Sequence, residues 1–351
     1  MKTYRILAAA AAVMALAGCG QRGYVHLTGY AQGGVWSVKY NTAGVTARPA
    51  EVQRGIEAVL QDIDTTLSGY NRKSQLSRLN AGDTIVPSGM LMRMYARSYA
   101  FWQETEGALD VAGGPVFDIW GFGFKNDSLP SEAKVREALS VSGMARLVPS
   151  MEEALLPDGR ICSARLLLSE SAVAPELNFN AIAQGYSCDT VASYLNSLGI
   201  KDMLVDIGEI LCRGVNPSGK PWKVGVDRPT DGNETPGADL DGVWQSGGFD
   251  GAQGIVTSGN YRKFYVRDGH KYAHTIDPRT GYPAENELLS ATITAPSAEA
   301  ADAYATYCMV LGLEAAREFI LGRPELEGYL IYTAPDGTMA EWRSPGFALA
   351  E

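Results

Sequence analysis

The chain has 351 residues, 46% of them hydrophobic, with a formal net charge of -10 at pH 7. That length allows one large domain or two intimately packed ones, and the apolar content with six tryptophans argues for a real core rather than disorder. The acidic balance, with no strong basic run, excludes nucleic acid as an expected partner.

The first residues read as an export label. Lys2 and Arg5 precede an apolar run, Ile6 to Ala17, that is too short to span a bilayer comfortably. The run ends in Leu16-Ala17-Gly18-Cys19, the order of a bacterial lipoprotein signal. Residues 1–18 are therefore expected to be a cleaved signal peptide, with Cys19 carrying lipid and facing the periplasm. Several acyl chains anchor a protein stably where one does not. An ordinary secretory signal or a buried helix is the alternative for this stretch. Residues 19–27 are expected to form a tether, and residues 28–345 the functional domain. Gly20 after Cys19 permits the outer membrane, and the inner membrane stays open.

Val35 to Tyr40 reads as a strand. Glu51 to Leu67 carries Val52, Ile56, Val59 and Ile63 at helical spacing. Ser88 caps a helix running through Leu91, Tyr95 and Tyr99 to about Thr105. Gly107 to Gly123 reads as loop with a short helix, Ser131 to Ser140 as a short helix, and residues 147–179 as strands with turns. Asn180 to Leu198 is a long helix ended by Gly199. Met203 to Ile207 and Trp222 to Val226 are short strands, followed by a Gly- and Asp-rich surface excursion at residues 231–242. Ile255-Val256, Tyr261 to Val266 and Lys271 to Ile276 suggest strands around a turn at Asp268-Gly269. Leu289 to Thr294 is another strand. Ser297 caps a helix through Leu311, a second helix covers Leu313 to Leu321, and Tyr329 to Thr333 with Met339 to Trp342 form a closing hairpin. This order lacks a regular βαβ pulse, so the expected fold class is α+β, mixed sheets with packed helices.

Outside the leader, Cys162, Cys188, Cys212 and Cys308 are widely spaced without a C-x-x-C pair. That argues against zinc and for small buried side chains. No G-x-G-x-x-G, Walker A, G-x-S-x-G or H-E-x-x-H motif occurs, and no repeat stands out.

Four constellations carry chemistry. His274 and Asp277 stand at a strand-to-turn boundary closed by Pro278, where an imidazole and an acid can form a site. The alternative is a turn in which Asp277 only caps backbone amides. Asp302 and Thr306 are i and i+4 on one helix face and offer two hard oxygen ligands, which suits Mg2+. A solvated helix start would explain the same spacing. Thr257-Ser258-Gly259-Asn260-Tyr261-Arg262 could hold a pyrophosphate through amides and an arginine fork, or be a polar turn. Asp206-Ile207-Gly208-Glu209 follows a strand, with a glycine that permits close backbone approach.

These pieces fall in one order: LSGYNRKSQLSRLN at 67–80, GALDVAGGPVFDIWGFG at 107–123, NFNAIAQGYSCD at 178–189, TSGNYR at 257–262, HTIDPRTG at 274–281 and AEAADAYAT at 298–306. In that order the chain resembles the FAD:protein FMN transferases, over roughly residues 28–345. The resemblance implies the following. Mg2+ would be held by Asp302, Thr306 and a carbonyl near Ala181, with Asp277 associated with metal and reacting hydroxyl and His274 beside it. Tyr70 would stack on the isoalloxazine. Gln32, Asp110, Asp206, Asp227, Ser258, Arg262 and His274 would fall along the FAD site. FAD would be the substrate. The acceptor would be a Ser/Thr hydroxyl in an exported Asp-x-x-(Ser/Thr)-Gly-Ala-type motif, on a subunit of a membrane redox complex. Release of AMP would accompany FMN transfer. A Mg2+-dependent FAD pyrophosphatase, or a non-catalytic FAD-binding lipoprotein, are the alternatives. The chain departs from the family in having one glycine fewer at Gly208, Gln184 where lysine is common, Asn178 for an aspartate, Gly34 for a threonine and Gln32 for a methionine.

Overall fold

The computed structural model describes residues 23–122, 129–147, 161–162, 176–231, 233, 235–247, 251–261, 264–267 and 270–350. The leader with Cys19, the side chain of Cys162, residue Arg262 and most of the stretch 147–179 lie outside these residues.

An eight-stranded antiparallel sheet forms the frame. Its strands are β1 (Tyr24–Ala31), β2 (Gly34–Asn41), β5 (Met203–Asp206), β6 (Ile210–Arg213), β9 (Ala252–Gly259), β14 (Leu288–Ala295), β15 (Glu327–Thr333) and β16 (Met339–Arg343), hydrogen-bonded in that order. Two-stranded ribbons accompany it: β3 (Thr84–Ile85) with β4 (Ile161–Cys162), β7 (Lys223–Asp227) with β8 (Leu240–Gln245), β10 (Phe264–Arg267) with β11 (His270–Ala273), and β12 (Ile276–Asp277) with β13 (Tyr282–Pro283). The helices are α1 (Pro49–Leu67), α2 (Gln75–Asn80), α3 (Gly89–Glu104), α4 (Gly114–Ile119), α5 (Glu132–Val141), α6 (Ala183–Ser197), α7 (Ala298–Leu311) and α8 (Leu313–Leu321). The class is α+β, as expected.

Strand alternation sorts the core into layers. On β9, Val256 packs into the cluster of helices α3, α7 and α8, while Ile255 faces the other way, with Trp222, Val224 and Trp244 of the β7–β8 side. On β15, Leu330 and Ile331 divide in the same manner. The period of two thus gives the sheet two covered faces. In α1, Val52, Ile56, Leu60 and Ile63 point inward at helical spacing and are buried. Each such side chain contributes about 1.5–3 kcal/mol through burial.

The crossing of α6 and α7 positions the site. Gly185 in the first turn of α6 packs against the main chain of Ala298, and a Cβ there would collide with its carbonyl. Gly254 of β9 is equally close, its would-be Cβ only 2.5 Å from the Ala298 Cα. Two missing side chains therefore let the start of α7 lie directly on both neighbours.

Three expectations change. The tether ends sooner, because Tyr24 to Leu27 belong to β1, paired from Tyr24↔Asn41 to Ala31↔Gly34. Within the expected surface excursion, Leu240 starts β8, which pairs with β7 up to Lys223↔Gln245. The single strand expected over Lys271 to Ile276 is broken at His274-Thr275, where Thr275 Oγ1 donates to Asn260 Oδ1 at 3.0 Å and the chain enters a new ribbon. Cys188, Cys212 and Cys308 are buried free thiols, in line with their expected packing role.

Candidate active site

A cavity of about 580 Å³ opens where α7, β9, the start of α6 and the 274–278 segment meet. Asp302 and Thr306 line it from one face of α7, and Ser258 from the neighbouring strand β9. The Ser258 and Thr306 hydroxyls lie 3.3 Å apart. Ala181 lines the same cavity from the turn before α6. Three segments distant in sequence thus bring oxygen-bearing groups to the lining of one cavity.

Asp302 is 5% exposed, and its Oδ2 accepts a hydrogen bond from Gly185 N at 3.0 Å. Burial first, then the nearby Glu299 and Asp189 charges, push its pKa from 3.8 up to about 8, against the pull of the Gly185 bond. A buried carboxylate so disposed gains from a cation beside it. Among the described residues no group of three or more His, Cys, Asp or Glu side chains is placed to hold a metal. One carboxylate, hydroxyls and a main-chain carbonyl form a different, all-oxygen set. It fits Mg2+, which keeps several of its waters.

Aromatic and apolar groups build the wall. Tyr70, Phe122, Tyr261 and Phe264 line the cavity, and the Tyr70 residue is 70% exposed at its mouth. His274 also lines it, edge-on to Phe122 with ring centroids 6.3 Å apart. Phe122 in turn stacks on Tyr265 at 5.4 Å. Asp110 reaches the cavity from the loop before α4. Burial raises its pKa to about 6, opposed by amide bonds from Met144 and Ala112.

Four expected residues are not brought to this wall. Asp277 is held by Arg279: Nε and Nη2 of the guanidinium each donate to it at 2.9 Å, as does the Arg279 main-chain N–H. His274, Thr275, Ile276 and Pro278 line the cavity, while Asp277 holds the turn through one amide bond and the Arg279 fork. Asp227 ends β7, on the ribbon covering the opposite sheet face, and accepts from Gly237 N at 2.7 Å. Asp206 closes the turn after β5 by accepting from Gly208 N at 3.2 Å. Gln32 sits at the β1–β2 hairpin tip with φ 52°, its Nε2 donating to Ser187 Oγ at 2.6 Å. Arg262 lies outside the described residues.

Glu209, from the fourth constellation, also lines it, as do Phe101 and Phe117, which were not singled out. Glu209 follows Gly208, whose φ is +90° and whose would-be Cβ meets the Gln184 amide at 2.6 Å. Gly208 was a visible signal. That Gln184 packs over it was not, because the two are 24 positions apart.

The ApbE family model matches residues 32–330. The chain belongs to the ApbE family. The FAD:protein FMN transferase of Haemophilus influenzae is 31% identical over 98% of this chain and 96% of its own length. That of Escherichia coli K12 is 32% identical over 92% of this chain and 87% of its own. Among solved structures, the flavin transferase ApbE from Vibrio cholerae superposes with a TM-score of 0.73 at 29% identity, covering 92% of this chain and 98% of that one. The apo flavinyl transferase ApbE of Pseudomonas stutzeri gives a TM-score of 0.75 at 29% identity, over 92% and 95%. As an ApbE family member the chain shares its fold over nearly the whole described length.

Proposed function

We infer that this chain transfers FMN from FAD to an acceptor protein. The observation that carries this reading is the cavity in which an ApbE family chain gathers oxygen-bearing side chains beside an aromatic wall. We propose that Mg2+ is held by Asp302, Thr306 and the Ala181 carbonyl, with Ser258 next to Thr306. When bound, the cation would neutralise pyrophosphate oxygens and charge developing at phosphorus.

The protein's own groups do the rest. Tyr70 orients the isoalloxazine by stacking at the mouth. Asp110 and Glu209 line further wall, and Gln184 presents an amide where the family commonly has lysine. The acceptor hydroxyl of a Ser or Thr attacks the FMN-side phosphorus. The new phosphoester forms as the bond to AMP breaks, and the hydroxyl proton is passed on to solvent or product. His274, on the cavity wall, is the group that takes this proton, provided it comes within about 3 Å. Asp277 acts through its fork with Arg279, fixing the turn that carries His274. Acceptors are expected to be exported redox-complex subunits with the Asp-x-x-(Ser/Thr)-Gly-Ala-type motif.

The test incubates the soluble chain with FAD and Mg2+, with and without such an acceptor domain, and follows AMP and acceptor mass together. AMP matched by FMN-labelled acceptor supports the transferase. Equal AMP release without acceptor would replace it with a pyrophosphatase, and no AMP would leave an FAD binder.

We also propose that Cys19 carries lipid on a periplasm-facing protein. Its support is the order of charge, apolar run and cysteine at residues 1–19. Cys19→Ser in the full chain should move the protein from the membrane to the soluble fraction of cells. Unchanged membrane recovery would refute the anchor.

A further inference from the structure

Helices α6 and α7 hold each other by reciprocal carboxylate bonds. From α6, the Asp189 carboxylate caps the start of α7, Oδ1 accepting from Ala298 N at 3.0 Å and Oδ2 from Glu299 N at 2.8 Å. From α7, Asp302 Oδ2 accepts from Gly185 N in the first turn of α6 at 3.0 Å. Each helix thus supplies an acid to the amides at the other's N-terminal end, where negative charge is favoured. The glycine contacts of Gly185 and Gly254 with Ala298 leave the crossing no slack. Asp189 itself lines a separate cleft of about 590 Å³, together with Arg93 and Arg213, and not the catalytic cavity.

We propose that Asp189 is a positioning residue for the cation site: by fixing the first turn of α7 against α6, it sets where Asp302 and Thr306 stand. The inference rests on the Mg2+ reading of those two residues. A ligand set of only one carboxylate, with hydroxyl and carbonyl oxygens, has little charge to hold Mg2+, so its affinity depends on placement. Two separate oxygens are needed to accept from Ala298 N and Glu299 N as seen here. An asparagine keeps one such acceptor, and an alanine none. Ser297, whose Oγ accepts from Ala300 N at 3.2 Å, caps the same helix end without touching α6 through that bond, and so provides a control of equal locality.

The experiment measures Mg2+ affinity by calorimetry, with the folded fraction checked by circular dichroism, on the wild-type chain and on Asp189→Ala, Asp189→Asn, Ser297→Ala and Asp302→Ala. Loss of a supporting group behind a metal ligand typically weakens binding by about 10-fold or more. Asp189→Ala is expected to show that loss and Asp189→Asn a smaller one. Ser297→Ala should lose thermal stability while keeping wild-type affinity. If Asp189→Ala does not fold, the Asp189→Asn affinity decides. Wild-type affinity in the folded Asp189 variants, with binding lost in Asp302→Ala, would overturn the positioning role alone. No Mg2+ binding by the wild-type chain would overturn the metal reading and this inference with it.

Discussion

Tyr70 and Asp302 both line the cavity, one exposed and the other buried, and invite different tests. Truncating Tyr70 to alanine removes a stacking face at an exposed mouth and should weaken FAD binding by about 1–2 kcal/mol, leaving stability unchanged. An unaltered FAD dissociation constant would remove the ring from the site. For Asp302 the raised pKa gives a sign. The folded chain binds that proton more tightly than the unfolded one, so the associated stabilisation is full below about 3.8 and lost as pH rises through about 8. Asp110 and Asp189 are raised in the same sense but only to about 6. In EDTA, melting temperature is therefore expected to fall between pH 6 and 8, with Asp302 contributing to that fall. Asp302→Asn should flatten that interval, and Mg2+ should reduce it in the wild-type chain by favouring the charged form. An identical slope in the variant would contradict this.

At the scale of elements, much was legible because local rules and tertiary packing agree. Ser88 and Ser297 cap α3 and α7 as their spacing indicates, each accepting from the amide three residues on. The i, i+4 pair Asp302 and Thr306 does share a cavity-facing side. What the sequence hid depends on distant partners. Strand β8 reads as loop because Leu240-Asp241-Gly242 lacks alternation, and it becomes a strand by pairing with β7. In the HTIDPRTG stretch the sequence leaves open whether Asp277 forms a site with His274 or closes a turn, and in the fold the Arg279 fork two residues away engages both its carboxylate oxygens. Asp189 closes the NFNAIAQGYSCD stretch, but its part in the helix crossing is invisible there, since its partners are 109 and 110 residues away. The crossing it secures should be intolerant of bulk. Gly185→Ala places a methyl against the Ala298 carbonyl, and overpacking of this kind costs about 1–3 kcal/mol. Urea unfolding would register it. Wild-type stability in that variant would mean that the helices can separate freely.

For the whole molecule, the sheet acts as a rigid partition. Helices on one face bring α6, α7 and the 107–122 segment together over β9, while the β7–β8 ribbon covers the other face and keeps Asp227 away from the cavity. Among the described residues, no helix is long and apolar enough to cross a membrane. The proposed role of the cavity is FMN transfer to a protein hydroxyl, with Asp302 holding a divalent cation. Its most direct test is the intact mass of an acceptor domain after incubation with FAD and the wild-type or Asp302→Asn chain, in Mg2+ or EDTA. One added FMN unit is expected with the wild-type chain in Mg2+ only, and a loss of at least about 100-fold in rate with Asp302→Asn, as for removal of a principal electrostatic group. Labelling by Asp302→Asn at the wild-type rate, or by the wild-type chain in EDTA, would contradict it.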